Sequence, residues 1–364
     1  MNRISRWSTL NRESRCRMVA VVAVLALFAA ACQPAAETTT TPAPAGPTTE
    51  AGGDNFGIDL SGVSIRMTTP QPSPLQMGHY LALDKLREWG AETELITIVT
   101  TTGIQALVAG QTDIAPHGAD ELVLGVAEGA EATAIGAPQG RLNYVMVTST
   151  DNPDIASLEG KSIGTSGPGG FDALLSRFAL LDAGLDPETD ANFVQIGGSP
   201  DRAAALLAGS VDAVTVFSDD WINLDLQTDG LHIVARATDL VAGIPGSLYM
   251  GLSEYWADNP DVAFAVACAN LEVNKWIQDN RDAFIEYTLE NVEGIERAAV
   301  EETYDFAMEV DMFSTDPEGV LTTAGINDLM DAMLETGDIS SPVEMDAHVD
   351  TSHLQQAADA GCGQ

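Results

Sequence analysis

The sequence predicts an α/β protein of two similar lobes, with a cleft between them and a helical C-terminal part. Short apolar, β-branched runs alternate with helical patterns over residues 63–216, which is typical of α/β layers with mainly parallel strands. A pattern also recurs, because residues 105–115 read QALVAGQTDIA and residues 204–214 read AALLAGSVDAV. This offset of 99 residues indicates a duplicated unit. From residue 260 onward the pattern is almost entirely helical.

The elements follow in order along the chain. A strand is predicted over 63–68, and a helix follows it because Met77, Tyr80, Leu83 and Leu86 recur every three residues. Further strands are predicted over 95–99, 133–137, 144–148, 162–165, 193–196 and 211–216, with a helix over 171–183. In the repeated unit a helix ends at a glycine that allows positive φ, and a strand then starts at an aspartate. These residues are Gly110 and Asp113 in one copy, and Gly209 and Asp212 in the other.

The composition excludes two classes of protein. Of the 364 residues 45% are hydrophobic, which is enough to bury a core, so the chain as a whole is not disordered. Acidic residues number 54 against 16 Lys and Arg, and the formal net charge is −38. Binding to nucleic-acid phosphates needs clustered basic residues, so this function is excluded as well.

The N-terminus is typical of an exported protein. Five Arg lie within the first 17 residues, and the apolar run 18–31 is too short to span a bilayer, so residues 1–31 are predicted to be a signal peptide. Residues 28–32 read FAAAC and resemble a lipobox, although Ala29 stands where Leu is usual. Cys32 is therefore the predicted lipidation site, and ordinary cleavage beside an unmodified cysteine is the alternative. The Thr- and Pro-rich segment 32–57 is predicted to be a flexible tether.

Candidate ligand-binding residues follow the predicted strands, because ligands of open α/β sheets bind beyond the carboxyl ends of the strands. Under the offset of 99, Asp120 and Asp219 are equivalent, so each lobe is expected to bring one acid near the cleft. Trp221 follows a strand end and is expected to stack on the ligand. The full predicted set is Ser73, Gln76, Thr101, Thr102, His117, Asp120, Gln139, Ser166, Gly167, Gly169, Ser218, Asp219 and Trp221.

Some of these loops have a second interpretation. The hydroxyl groups that open the second helix could cap it or contact a ligand. The glycine-rich turn 164–170 could be only a tight connection, or its N–H groups could bind an anion or a carbonyl. Lys161 and Ser162 resemble the end of a phosphate loop, but residue 155 is Ile where that motif requires Gly, so a nucleotide site is rejected.

No catalytic or metal motif is present in the sequence. There is no Gly-x-Ser-x-Gly elbow and no HExxH, and His348 with His353 is interpreted as a surface loop. No cofactor and no metal are expected. In an exported chain Cys268 and Cys362 are predicted to form a disulfide, with two free thiols as the alternative.

The chain resembles the solute-binding proteins of ABC importers, in the group that binds aliphatic sulfonates, taurine, nitrate and thiamine pyrimidine precursors. The resemblance rests on the order of several segments: HYLALDKLREWG (79–90), ALVAGQTDIAPHGADE (106–121), SLEGKSIGTSGPGG (157–170), LDAGLDPETD (181–190), ALLAGSVDAV (205–214), NLEVNKWIQDN (270–280) and HVDTSHL (348–354).

The resemblance implies a periplasmic-binding-protein fold of type 2. Its lobe 1 is expected over 58–146, completed by 247–364, and its lobe 2 over 147–246. Crossover strands are expected near 143–149 and 246–252. The implied protein is a monomer that closes on a small molecule and delivers it to a permease driven by a separate ATPase. Its expected place is outside the cytoplasmic membrane, at the cell surface or in the periplasm, anchored by lipid.

The ligand is expected to be a nitrogen-bearing, neutral or cationic molecule such as a pyrimidine or an amine. Asp120, Asp219 and Asp220 would repel an oxyanion, and Arg141 is the only cation near the candidate loops. The alternatives are an anion binder of the same family and an enzyme on the same fold. The resemblance disfavours an enzyme, because pyrimidine synthases of this group use a Cys-rich motif and desulfinases need a cysteine on an early cleft loop. Residues 69–76 contain none, so the chain is not expected to be an enzyme.

Overall fold

The structure is a computed structural model, and it describes residues 56–69, 72–98, 102–167, 170–241 and 243–364. These described residues contain ten strands. The predicted signal peptide, Cys32, Thr101 and Gly169 lie outside the described residues. The strands are β1 (Ser64–Thr69), β2 (Glu92–Thr97), β3 (Ala115–His117), β4 (Ala132–Ala134), β5 (Tyr144–Ser149), β6 (Lys161–Thr165), β7 (Ala191–Gln195), β8 (Ala213–Phe217), β9 (Leu231–Arg236) and β10 (Leu248–Leu252).

Helices connect the strands and make up most of the last hundred residues, as predicted. They are α1 (Met77–Glu88), α2 (Gly103–Val108), α3 (Ala119–Ala127), α4 (Phe171–Asp182), α5 (Ser199–Leu207), α6 (Ser218–Asp225), α7 (Ala237–Leu240), α8 (Ser253–Asp258), α9 (Pro260–Asp279), α10 (Arg281–Asn291), α11 (Arg297–Glu309), α12 (Pro317–Val320), α13 (Thr323–Thr336) and α14 (Ser352–Asp359). Within the described residues, none of these helices has the length and apolarity needed to cross a bilayer.

The two lobes have the same sheet order. In lobe 1 the strands run β2-β1-β3-β10-β4, where a bridge between Met67 and Ile114 joins the β1–β2 pair to the rest. In lobe 2 they run β7-β6-β8-β5-β9. Each sheet also contains one strand that directly follows a segment connecting the two lobes: β10 in lobe 1 and β5 in lobe 2. This strand is antiparallel to both of its neighbours. This match confirms that the repeated sequence pattern marks a duplicated structural unit.

The repeated unit is alike in atomic detail as well. The glycines that follow α2 and α5 have φ of 67° at Gly110 and 66° at Gly209, a conformation that glycine adopts without steric cost. The carboxylates of Asp113 and Asp212 each accept a backbone N–H from the first strand of their own lobe, at 2.8 Å. The recurring aspartate therefore aligns the third strand of each lobe with the first.

The two segments that connect the lobes are paired with each other. Gln139 and Ser247 form an antiparallel bridge, and the N–H of Gly246 donates to the carbonyl of Gln139 at 2.8 Å. A Cβ atom at Gly246 would lie 2.3 Å from the carbonyl oxygen of Arg141, so only glycine allows this approach. The paired segments hold the two lobes in a defined relation.

The core has separate parts for the two lobes. Apolar side chains of α1, α3, α9 and α13 share one cluster with the sheet of lobe 1, while lobe 2 has two smaller clusters of its own. Helix α11 contacts both lobes: Tyr304 and Ala307 belong to the lobe 1 cluster, and Ala299 packs into a lobe 2 cluster. Most C-terminal helices therefore complete lobe 1, and α11 also packs against α6 of lobe 2.

The C-terminal tail is joined to α9 by the predicted disulfide between Cys268 and Cys362, which are 94 residues apart. Both cysteines are buried, at 0% and 3% exposure. The backbone N–H of Gly363 also donates to the Glu272 carboxylate at 2.7 Å. The tail is therefore held on α9 by a covalent bond and a hydrogen bond.

Loss of this disulfide should destabilise the protein. Closing a loop of this length restricts the unfolded chain, so we expect Cys268→Ala/Cys362→Ala to unfold with about 2–4 kcal/mol less free energy. Guanidinium denaturation measures the change. Cys362→Ala alone is the control and should show most of the same loss, because either substitution removes the bond. An unchanged midpoint, or two free thiols in the unreduced, denatured protein, would contradict the pairing.

Candidate functional site

Aromatic side chains meet where the two lobes face each other. Tyr144, the first residue of β5, contacts Phe171 with 5.6 Å between ring centroids and Phe217 with 4.5 Å. Phe171 opens α4, and Phe217 ends β8. We call these three side chains the aromatic group. The aromatic group was not predicted from the sequence, although each of its three residues stands at the end of an element in the second half of the α/β region.

Two acids occupy the equivalent positions that the repeat predicted. Asp120 is the second residue of α3 and Asp219 the second residue of α6, and each accepts backbone N–H groups at the start of its own helix. Burial, aided by the charge of Glu121, raises the pKa of Asp120 to about 7. Burial, aided by the charge of Asp220, also raises the pKa of Asp219.

These groups link the two lobes. The side chain of Ser73, on the loop after β1 in lobe 1, hydrogen-bonds the Asp219 carboxyl group in lobe 2. Burial raises the pKa of Tyr144 well above its ordinary value, and the charges of Asp120 in lobe 1 and Asp172 in lobe 2 act in the same direction. The Tyr144 ring therefore lies in a region where acids from both lobes converge.

Three buried polar atoms of predicted site residues have no hydrogen-bond partner among the described residues: Gln76 Oε1, His117 Nε2 and Ser218 Oγ. Their residues are 9%, 7% and 0% exposed. A buried polar atom without a partner costs roughly 1–3 kcal/mol, so such atoms are rare unless a ligand or water completes them. Gln76 ends the short 3-10 helix after β1, His117 is the last residue of β3, and Ser218 is the first residue of α6, directly after β8.

Trp221 is a correction to the sequence analysis. The structure buries its ring, at 7% exposure, in the hydrophobic cluster of lobe 2 beside Ile222 and Leu224. Trp221 lies one turn into α6, on the side that packs on the sheet. Its ring is therefore part of the core of lobe 2.

Other predicted residues have structural partners. Thr102 caps α2 by accepting the N–H of Gln105, so of its two interpretations the structure selects the cap. The Gln139 side chain donates to the carbonyl of Leu75 at 2.7 Å and supports the connection between the lobes. Ser166 donates its backbone N–H and its hydroxyl to Asp172, at 2.8 and 2.5 Å.

The glycine-rich turn includes Gly167, which has a φ of 148°. A Cβ there would approach the Gln195 side chain to 2.9 Å. Gly167 therefore has a conformation and a close contact that favour glycine at this position.

A buried cation, Arg202, lies beside Asp172; it was not among the residues singled out from the sequence, because it lies inside α5. Its side chain is 4% exposed and stands 3.6 Å from the Asp172 carboxylate. It donates to the carbonyls of Thr215 and Gly197. Arg141, the expected nearest cation, instead donates to the carbonyl of Gly140 and pairs with Asp311.

A surface cavity of about 90 Å³ lies elsewhere, between α1 and α9. Its charged side chains already have partners: Asp84 binds Arg87 and Tyr287, and Glu272 binds the tail. It contains none of the predicted site residues, so we place the candidate site between the lobes.

The family profile described as NMT1/THI5 like matches residues 87–284, more than half of the chain. The nitrate import ATP-binding protein NrtC of Synechococcus elongatus is 36% identical over 118 residues, which are 31% of this chain and 17% of NrtC. YtlA of Bacillus subtilis is 21% identical over 211 residues, 55% of this chain and 58% of YtlA. The chain thus spans less than two thirds of either relative.

Solved structures match along most of their length. The alkanesulfonate-binding protein SsuA of Xanthomonas axonopodis, bound to MOPS, has a TM-score of 0.63 at 18% identity over 80% of this chain and 99% of SsuA. The nitrate-binding protein NrtA of Synechocystis has a TM-score of 0.67 at 12% identity over 82% and 89%. The desulfurization enzyme DszB has a TM-score of 0.59 at 16% identity over 82% and 99%. These likenesses confirm the predicted periplasmic binding protein fold.

Proposed function

Because the chain belongs to the NMT1/THI5-like family, we propose that it is the solute-binding component of an ABC importer. It would capture a small polar organic molecule between its lobes and deliver it to a permease with its ATPase. The observation that carries this proposal is the set of unpartnered buried atoms on Gln76, His117 and Ser218. His117 ends β3 in lobe 1, Ser218 directly follows β8 in lobe 2, and Gln76 lies just before α1, so a ligand between the lobes would complete their hydrogen bonds.

The ligand class we favour is a nitrogen-bearing, neutral or cationic molecule such as a pyrimidine or an amine. Carboxyl groups at Asp120, Asp219 and Asp220 accept hydrogen bonds from N–H groups. The aromatic group offers ring faces for stacking or for a cation. An excess of acceptors beside aromatic rings suits an N–H donor better than an oxyanion.

An anion is the second candidate, because Arg202 provides a buried positive charge near these acids. SsuA and NrtA are named for an alkanesulfonate and for nitrate, and they share the fold. Arg202, however, already pairs with Asp172 and donates to two carbonyls, so its donors are largely in use.

Catalysis is the third candidate, since DszB has the same fold. We favour binding because both cysteines among the described residues are joined in the disulfide, which leaves neither as a nucleophile. Incubation with a bound compound followed by mass analysis distinguishes the two, because a binding protein returns its ligand unchanged.

A thermal-shift screen of the purified protein tests the proposed function. We expect pyrimidines or amines to raise the melting temperature, because a ligand that binds only the folded state stabilises it in proportion to occupancy. A shift with a sulfonate or nitrate and with no amine would overturn the ligand class and retain the importer function. No shift with any of these compounds would count against solute binding itself.

Lipid anchoring at Cys32 is a separate part of the proposal. Cys32→Ser should release the protein from the membrane fraction, because no later helix of the described residues could hold it there. Cys16→Ser, placed before the apolar run, is the matched control and should leave the protein with the membrane. Retention of the Cys32→Ser variant would refute the anchor. We expect the mature protein outside the cytoplasmic membrane as a monomer.

A further inference from the structure

His117 lies between Glu121 and the start of α2. Its Nδ1 atom is 3.3 Å from Glu121 Oε1, and Glu121 Oε2 accepts the backbone N–H of Gly103 at 2.7 Å. A Cβ atom at Gly103 would lie 2.5 Å from His117 Cδ2, so the imidazole ring packs directly against this glycine. Among the described residues, the Glu121 carboxylate is therefore the acidic group that stands beside the Nδ1 side of the ring.

A carboxylate accepts hydrogen bonds and donates none, so the Nδ1 atom beside it carries the hydrogen. In the neutral imidazole the other nitrogen, Nε2, then holds a lone pair. This Nε2 atom is buried and has no partner among the described residues. Two further titratable groups, Asp120 on α3 and His79 on α1, are close enough to interact electrostatically with the ring.

We propose that Glu121 holds His117 in the Nδ1–H tautomer, and that the Nε2 lone pair makes the cleft select a ligand that donates an N–H at this position. Glu121 is thus a positioning residue and His117 a specificity-determining one. The selection step rests on the proposed function, whereas the tautomer is a property of the protein without ligand.

The second lobe shows that this arrangement is specific to lobe 1. Under the offset of 99, Glu121 corresponds to Asp220 and His117 to Val216. Asp220 hydrogen-bonds Ser199 at the start of α5, just as Glu121 binds the start of α2. The acid at this position therefore hydrogen-bonds the start of a helix in both lobes. In lobe 1 a histidine stands beside it, and in lobe 2 the equivalent residue is a valine.

NMR of the purified protein labelled with ¹⁵N-histidine measures the tautomer at pH 8, with His117→Gln to assign the signal. We expect a protonated Nδ1 and an unprotonated Nε2. In Glu121→Gln the amide oxygen is needed by Gly103, so the NH2 group faces Nδ1 and the hydrogen should move to Nε2. Glu128→Gln, on the exposed end of the same helix, should leave the signals unchanged. A proton on Nε2 in the unmodified protein, or no change in Glu121→Gln, overturns the positioning role.

The ligand arm compares 2-aminopyrimidine with pyrimidine, which lacks the amino group. The amino compound should shift the His117 Nε2 signal and should bind Glu121→Gln about tenfold more weakly or worse, since one hydrogen bond is lost. Equal shifts with both compounds overturn the donor selection. Binding of nitrate or a sulfonate with an unmoved Nε2 signal overturns it too, while the importer function stands. If no compound binds, both the donor selection and the proposed function are rejected. The NMR experiment without ligand still tests the tautomer of His117.

Discussion

Asp120→Asn and Asp219→Asn should each make the empty protein more stable above pH 7 and should each weaken its binding of amines. Burial raises the pKa of both carboxyl groups, and that of Asp120 to about 7. Ionising a buried carboxyl group costs free energy that a neutral amide does not. Because part of Asp120 is accessible to solvent, we expect a gain of about 1–3 kcal/mol, less than the full conversion of its pKa shift.

The dependence on pH has a definite sign. Between the ordinary carboxyl pKa of about 4 and the raised value, the folded protein binds more protons than the unfolded chain. The free energy of unfolding should therefore fall as pH rises through this window and level off above the raised pKa of Asp120, about 7. Denaturation at pH 5 and pH 8 measures the fall, which should shrink in each variant. Asp225→Asn on the exposed end of α6 is the matched control and should retain the full pH dependence.

The same substitutions should reduce binding, because an amide presents an acceptor without the negative charge that attracts a cation. If the acids bind the ligand, as we propose, the stability that they cost is given up for binding, which is a common relation at binding sites. A variant that is less stable than the unmodified protein at pH 8 would contradict the predicted cost of the buried carboxyl group. A variant that keeps the full thermal shift with an amine would show that this carboxyl group does not bind the amine.

Much of the fold could be predicted because its determinants are local. A glycine at positive φ after a helix, followed by an aspartate that begins a strand, is visible in sequence, and the offset of 99 carried the prediction from one lobe to the other. Strand β9 was missed. It is half-buried along its whole length at the sheet edge, so it lacks the alternation of buried and exposed residues that marks a strand.

The site was less predictable because its parts come from distant positions. Asp120 and Asp219 were found through the repeat, and His117 through its place at a strand end. Tyr144 and Arg202 reach the site only through pairing between elements: β5 pairs with β8, and α5 packs against β8. Tertiary contacts also explain why the Trp221 ring is buried: it packs in the apolar cluster between α6 and the sheet of lobe 2.

Arg202→Met should lower the free energy of unfolding by about 3–5 kcal/mol, because it leaves the buried Asp172 carboxylate without its cation. The carbonyls of Thr215 and Gly197 would lose their donor as well. Combining it with Asp172→Asn should recover part of the loss, since the two charges are then removed together. Arg297→Met, which breaks the exposed pair with Glu286, is the control and should cost about 1 kcal/mol or less. A loss no larger than that of the control would contradict a paired, buried charge.

The Arg202 variants also discriminate between the two ligand classes. If the ligand is an anion, Arg202 is the buried cation that would bind it, so Arg202→Met/Asp172→Asn should lose nitrate or sulfonate binding altogether. If the ligand donates N–H groups to Asp120 and Asp219, the folded fraction of the same variant should still bind an amine, because those carboxyl groups are not changed. Isothermal titration at a temperature where the variant is folded separates these outcomes. If the variant is less stable but still binds an amine, Arg202 has a structural role in lobe 2. If the variant loses the binding of nitrate or a sulfonate, Arg202 binds the ligand.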